Sequence, residues 1–303
     1  MNEMMTGNTP KTLAFIGLGA MGLPMARNIL GKGPEPLLVY DVFPEKMESL
    51  VREGAKAAAS SAGALQAADI AFLCLPTNAL VEEALAQALA HMKPGACVVD
   101  FSSTAPGIIQ AAHQAGLKKG LMVVDAPVSG GSWGAEAASL TVMCGGDETA
   151  FALALPFLKR VGSTVSHIGP SGAGDLCKII NNMLVGIHLD ALAEGLALAK
   201  KAGLDPARVF EAIRHGFAGS PVMEAKAPRM IAHDFEPQAR LAVHLKDLDN
   251  ARHTAQALGV DIPLSRLVWE HMAQLCAQGD QDLDQAAMIK GYEARMNVDI
   301  SKP

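Results

Sequence analysis

Seven short runs of aliphatic and β-branched residues punctuate the first half of the chain, and none follows residue 169. They are TLAFIG, LLVYD, IAFLCL, ACVVDF, LMVVDA, SLTVMCGG and STVSHIG, with helical patterns from Met21, from Pro44 and over residues 78–90 in the gaps. Strands that alternate with amphipathic helices have few ways to fold, because a parallel pair needs a crossover and the crossover helices must cover the faces of the sheet. The pattern predicts a doubly wound α/β sheet. After GPSGAG, residues 169–174, it changes. DLCKIINNMLVGIHLDALAEGLALAKKAG reads as one helix of nearly thirty residues, roughly 45 Å long at about 1.5 Å per residue. It is apolar on most of its circumference, so it calls for burial between domains or against another subunit. Shorter helices are predicted over residues 206–214, 222–231, 241–258, 264–278 and 285–296. Two domains follow, residues 1–169 and an all-helical 170–303 joined by the long helix.

The first turn after the first strand carries the strongest local signal. Gly17, Gly19 and Gly22, with Ala20 and Met21 between them, follow TLAFIG and open a helix. In a dinucleotide-binding βαβ unit the first glycine allows the tight turn, the second lets a pyrophosphate approach backbone N–H groups, and the third lets helix and strand pack closely. A lone glycine pattern is weak, but here its context is right. Asp41 closes the second strand nineteen residues beyond Gly22, where a carboxylate accepts hydrogen bonds from an adenosine ribose. A solvated strand end is the alternative reading of Asp41. No arginine follows it directly to pair with a 2′-phosphate, so a Rossmann-type domain holding NAD is expected, with NADP the alternative.

Three further segments carry chemistry. Ser129, Gly130 and Gly131 form a glycine-rich stretch whose N–H groups and hydroxyl can close around a carboxylate, or simply a tight turn capping the sixth strand. Lys178 and Asn182 stand at i and i+4 near the start of the long helix, which stacks an ammonium and a carboxamide on one face. A lysine in an apolar helix is costly unless it is paired or used, and burial depresses such a pKa toward the range useful for proton transfer. The alternative is a lysine that snorkels to the surface. Lys246, followed by Asp247, offers a second lysine, although a Lys-Asp pair on a helix is commonplace.

Composition narrows the partners. The net charge of −6 comes with no block of like charges, so neither nucleic acid nor an anionic membrane is expected and the partner is a small molecule. The opening MNEMMTGNTPKT lacks the basic start and apolar run of a signal peptide, and the purely apolar stretches are too short to span a bilayer, which together predict a cytoplasmic protein. The five cysteines, 74, 97, 144, 177 and 276, contain no C-x-x-C, and the nine histidines no H-x-x-x-H or H-x-H pair. Reduced thiols and no metal site are expected.

GLGAMGLPMARNIL, DAPVSGG, GAGDLCKIINN and the KDL at 246–248 occur in the order and spacing of the β-hydroxyacid dehydrogenases, and the chain resembles that family over essentially its whole length. The family includes 3-hydroxyisobutyrate dehydrogenases, tartronate semialdehyde reductases and glyoxylate/succinic semialdehyde reductases. The resemblance implies that Leu75, Pro76 and Ser103 lie along the cofactor, that Ser129, Gly130 and Gly131 hold a substrate carboxylate, and that Lys178 is the acid/base. It further implies that Asn182 positions the substrate and that Lys246 approaches the nicotinamide. GFAGSPVMEAKAPRM, residues 216–230, looks more like the tartronate semialdehyde reductases, so reduction of tartronate semialdehyde to glycerate, or the reverse oxidation of a 3-hydroxyacid, is expected. The other family members named above are the alternatives. An imine reductase commonly carries Asp or Tyr at the lysine position, and a noncatalytic NAD-binding module has no use for the lysine; Lys178 counts against both. Two departures from the family pattern stand out: Ala138 replaces the last glycine of GAEAG, and Gln238-Ala239 replaces a Gly-Phe. The long apolar helix and the five helices after it leave more hydrophobic surface than one small domain hides well, which predicts a homodimer or homotetramer.

Overall fold

The computed structural model describes residues 11–302, so most of the opening segment read above lies outside the described residues. The chain forms two compact units that meet in sequence between Lys178 and Ile179.

The first unit runs β1 (Leu13–Ile16), α1 (Gly22–Gly31), β2 (Leu37–Tyr40), α2 (Glu48–Arg52), β3 (Lys56–Ala57), α3 (Ser61–Ala67), β4 (Ile70–Leu73), α4 (Asn78–His91), β5 (Cys97–Asp100), α5 (Pro106–Leu117) and β6 (Met122–Asp125). It continues through β7 (Val128–Ser129), α6 (Gly131–Glu136), β8 (Leu140–Gly145), α7 (Glu148–Val161) and β9 (Gly162–Gly169). Strands β3-β2-β1-β4-β5-β6 are parallel neighbours in that order. The chain therefore reverses its direction of travel between β1 and β4, the place where such sheets take ligands at their carboxyl ends.

Alternation along the strands sends side chains to opposite faces. Leu13 and Phe15 pack with Ile70, Phe72, Val99 and Phe101 under α1 and α7. Ala14 and Ile16 pack with Ala71, Leu73 and Val98 under α3, α4 and α5. Both faces are dry, which is why these strands read as continuous apolar runs. Phe15, Phe72 and Phe101 stack across three adjacent strands with centroids 5.7–6.2 Å apart.

The sheet is mostly, not wholly, parallel. β8 runs antiparallel to β6, with Gly145 opposite Asp125, and antiparallel to β7, and it takes β9 in parallel on its other side. The ten residues between β7 and β8 are too few for a parallel crossover, so the chain returns. Ser129, read as loop, is thus half of a two-residue strand.

The second unit is helical: α8 (Ala173–Lys201), which begins in the first unit, then α9 (Pro206–Ile213), α10 (Pro221–Ala232), α11 (Leu241–Leu258), α12 (Pro263–Leu275) and α13 (Met288–Met296). The starts are written in the sequence: Asp205 and Ser220 accept the N–H of Ala207 and Met223, and a proline follows each cap. Expected as one helix to Gln278, α12 instead ends at Leu275 in a wide turn over Cys276–Asp280, where Gly279 takes φ 102°. Leu189, Leu192, Ala193 and Leu196 of α8 pack with Phe210, Met230, Leu248, Met272 and Ile289 in the core of this unit. By length and composition alone α8 could cross a membrane, which amends the expectation that no such stretch exists. One face of it packs in the core of this unit, while Leu184 and Leu198 are exposed, and Asp175, Lys178, Asp190 and Glu194 are ionisable residues along it.

Candidate active site

The turn after β1 shows why three glycines are needed. Gly17 takes φ 93°, and a Cβ there would stand 2.3 Å from the Cys74 carbonyl oxygen and 3.0 Å from the Leu75 side chain. Glycine alone adopts that conformation without cost and lets the ends of β1 and β4 meet. At Gly22 a Cβ would strike the Gly17 carbonyl oxygen, so the start of α1 sits directly on the turn. A Cβ on Gly19 would meet nothing within 4 Å; this residue and Ala20 are exposed at the head of α1. A close-packed base with an open, glycine-lined mouth at a helix N-terminus fits a pyrophosphate.

Asp41, buried at the end of β2, accepts the Leu18 N–H at 2.7 Å and the Phe43 N–H at 3.0 Å. Its carboxylate therefore holds the glycine turn, and both of its oxygens keep a further lone pair. Lys46 lies 3.7 Å from it, a cation that the search for an adjacent arginine passed over.

The other assigned residues of this unit follow the next strands: Leu75 and Pro76 after β4, Ser103 after β5, and Ser129 in β7 with Gly130 and Gly131 beyond it. Gly130 and Gly131 take φ 135° and 65°, a backbone conformation that L side chains rarely adopt. Ala138 also has positive φ, 53°. An alanine thus does the work of the glycine usual in the family.

Sequence reading missed the carboxylates beneath these loops. Asp125 Oδ1 accepts the Gly172 N–H at 2.9 Å and its Oδ2 the Asp175 N–H at 3.0 Å, which fastens the start of α8 to the end of β6. Burial pushes the Asp125 carboxyl above the ordinary range against those hydrogen bonds. Asp100 ends β5, accepts the Ser102 N–H and the Thr104 hydroxyl at 3.0 Å each, and is likewise pushed up, first by burial and also by the charge of Asp125. The repeated VVD of β5 and β6 was the available signal.

Gly174 packs where a Cβ would lie 2.4 Å from the Met143 carbonyl and 2.8 Å from Asp125 Oδ2. Lys178, half-buried, is one turn further on the same helix face. Asn182 stands one turn beyond, within the second unit. There its Nδ2 donates to Asp247 Oδ2 at 2.6 Å, while Lys246 Nζ lies 3.1 Å from Asp247 Oδ1. His244 bridges the Asn182 carbonyl and Gln285 at 2.9 and 2.7 Å. The structure thus joins Asn182 and Lys246 through Asp247, which sequence reading treated only as a neighbour of Lys246.

All five cysteines are free thiols. Among the described residues one set of side chains, His233, Glu293 and Asp299, brings metal-ligand atoms within 4.8 Å of one another. They come from three separate segments, which a search for short histidine spacings does not see.

Comparison with known proteins agrees with this geometry. Residues 12–169 match the NAD-binding domain of 6-phosphogluconate dehydrogenase, and residues 172–292 match the NAD-binding region of NADP-dependent 3-hydroxyisobutyrate dehydrogenase. The 2-hydroxy-3-oxopropionate reductase of Escherichia coli is 36% identical over 94% of this chain and 98% of its own. The 3-hydroxyisobutyrate dehydrogenase of Pseudomonas aeruginosa is also 36% identical, over 93% and 99%. The solved 3-hydroxyisobutyrate dehydrogenase of Mycobacterium tuberculosis with L-serine superposes with a TM-score of 0.86 at 31% identity, covering 93% of this chain and 99% of the other. A sheet with its switch point at a glycine turn, a helical second unit and relatives matched from end to end lead to one conclusion: the chain is an oxidoreductase of the NAD(P)-dependent 3-hydroxyacid dehydrogenase family.

Proposed function

We propose that the chain reduces tartronate semialdehyde to glycerate, or runs the reverse oxidation, with NAD as the preferred cofactor and Lys178 as acid/base. The observation that carries this reading is the seating of α8: Gly174 and Asp175 are fixed at the carboxyl end of β6, and Lys178 follows one turn later on the face Gly174 presents to the sheet. The bound cofactor supplies the hydride. As charge develops on the aldehyde oxygen, Lys178 donates a proton to it; in oxidation the neutral amine accepts one. Such transfer contributes about 10²–10⁴-fold, and a cation aimed at the oxyanion adds a few kcal/mol. Ser129, Gly130 and Gly131 hold the carboxylate, and Asn182, itself held by Asp247, orients the substrate. Gly17, Gly19, Ala20, Met21, Gly22, Asp41, Leu75, Pro76, Ser103 and Lys246 are assigned to the cofactor. Two domains, 1–169 and 170–303, divide the work, the chain acts as a homodimer or homotetramer, and free thiols suit the cytoplasm.

Phosphorylated substrates are disfavoured because the cations of the 216–230 segment are already engaged, Lys226 and Arg229 both pairing with Asp284, and Arg214 just before it pairs with Glu211 and Glu224. Methylmalonate semialdehyde is the main competitor, since relatives acting on either type are equally identical. The test is kcat/KM with NADH for tartronate, methylmalonate and succinic semialdehydes and glyoxylate. Tartronate semialdehyde should be best; another winner replaces the substrate and leaves the reaction class. Lys178→Ala should lower kcat by about 10²–10⁴-fold with NADH affinity unchanged. Near-normal turnover removes the acid/base assignment.

A further inference from the structure

A continuous chain of buried hydrogen bonds underlies the assigned residues of the first unit. Ser102 Oγ accepts the Leu75 N–H at 2.9 Å, and the Ser102 N–H donates to Asp100. Asp100 also takes the Thr104 hydroxyl, and the Thr104 N–H donates to Asp175 Oδ1 at 3.2 Å. The Asp175 N–H in turn donates to Asp125. Asp100, Thr104, Asp125 and Asp175 are each no more than 1% exposed.

We infer that this chain is a positioning device that fixes the rotation of α8, and with it the Lys178 amine, against the loops following β4, β5 and β6. The inference rests on the reading of Lys178 as acid/base. Three carboxylates in so small a buried volume are costly, and apolar packing would hold a helix end more cheaply. What the carboxylates add is direction. Asp125 grips the N–H groups of Gly172, immediately before α8, and Asp175, in its first turn, and two fixed points three residues apart set the helical phase where one would leave a pivot. A rotation of about 10° moves an atom about 6 Å from the helix axis by about 1 Å. A misplacement of that size costs up to about 10²-fold in rate. Each link also belongs to a loop with an assigned residue: Leu75 is one, Ser102 and Thr104 flank Ser103, Asp125 opens the segment leading to Ser129, and Asp175 stands three residues before Lys178.

Asp125→Asn keeps the shape but replaces one acceptor with a donor facing an N–H. Thr104→Val removes the hydroxyl bond to Asp100, and Thr104→Ser retains it. Steady-state kinetics, NADH fluorescence titration and thermal melts should be run on these variants, on Lys178→Ala and on the doubles with Lys178→Ala. Asp125→Asn and Thr104→Val are expected to lower kcat about 10- to 10²-fold while NADH affinity and aldehyde KM stay within about threefold. Thr104→Ser should keep at least half of wild-type kcat. In the Lys178→Ala background either change should cost less than about twofold more, because a residue that acts through the amine has nothing left to position. The inference is overturned if kcat is unchanged in the single variants or if the full loss persists without the lysine. If Asp125→Asn does not fold, Thr104→Val decides. A near-normal Lys178→Ala enzyme instead removes the acid/base reading beneath it.

Discussion

At Asp41 one carboxylate accepts N–H groups from the glycine turn and from Phe43, and we assign its remaining lone pairs to the cofactor ribose. A 2′-phosphate brought to the same place would meet that negative charge, which Lys46 at 3.7 Å offsets only in part. NADH should therefore be used better than NADPH, and Asp41→Arg, adding a second cation beside Lys46, should weaken or invert the ratio of kcat/KM values for the two cofactors; a wild-type preference for NADPH contradicts the assignment. Ala138 is a simpler case. An L-residue at φ 53° pays roughly 1–2 kcal/mol relative to glycine, and part of that is returned through the freer unfolded chain of the glycine variant. Ala138→Gly should thus raise stability by about 0.5–1 kcal/mol in urea unfolding, and a loss instead would mean that the alanine methyl packs. Both residues were noticed in the sequence because the relevant signal is local: a strand end at fixed distance from a glycine turn, and a missing glycine in a short motif. Asp125 went unread, and Asp247 was read only as a neighbour of Lys246, because their partners, Asp175 and Asn182, lie 50 and 65 residues away, and no local spacing reports such a pairing.

The elements were legible to the degree that their cause is periodic. α8 announces itself through its apolar spacing, and α9 and α10 also through proline at the first position and an Asp or Ser cap, whereas β7 has two residues and no period at all. The antiparallel return of β8 depends on the length of a connection, a quantity that the composition of the strand does not contain. The departure at Gln238-Ala239 gains its meaning only in the fold. The N–H groups of both residues donate to Asp284, which also pairs with Lys226 at 2.7 Å and Arg229 at 3.4 Å, so the loop ahead of α11 hangs on a fully buried carboxylate. Burial alone would raise that carboxyl, but the Lys226 hydrogen bond and the N–H groups of Ala286 and Ala239 outweigh it and hold it below its ordinary value of 3.8. Its contribution to stability is therefore complete above that value and is lost as pH falls through the lower folded one. Lys226→Met should destabilise the protein by about 3 kcal/mol at neutral pH, the low end for a broken buried pair because Arg229 remains. The difference from wild type should shrink as the buffer is taken below 3.8, since protonation relieves the unpaired charge. Urea unfolding at pH 7 and pH 3.5 measures both, and a difference independent of pH removes the ion pair as its cause.

At the scale of the molecule, the question is what covers the apolar surface that one chain leaves open. Within the second unit Leu184 and Leu198 of α8 are more than half exposed, and Ala191 and Gly195 between them are exposed as well. The spacing of seven, four and three residues keeps these four within about 60° of one another around a helix of 3.6 residues per turn. Small residues at the middle of the stripe allow close approach of another helix, and large ones at its ends supply area. A second copy of the same stripe is self-complementary under a two-fold axis, the commonest symmetry of soluble oligomers. With each leucine worth about 1.5–3 kcal/mol when buried, four of them across a symmetric pair of stripes contribute several kcal/mol toward association. Multi-angle light scattering at micromolar concentration should therefore give a mass that is an even multiple of 31.6 kDa. Leu184→Glu and Leu198→Glu replace the apolar area at the two ends of that stripe with charge and should shift the mass toward the single chain, whereas Leu204→Glu, exposed beyond the end of α8, should not. A wild-type protein that runs at 31.6 kDa overturns the oligomer, and a multiple that survives both α8 substitutions moves the contact to another face.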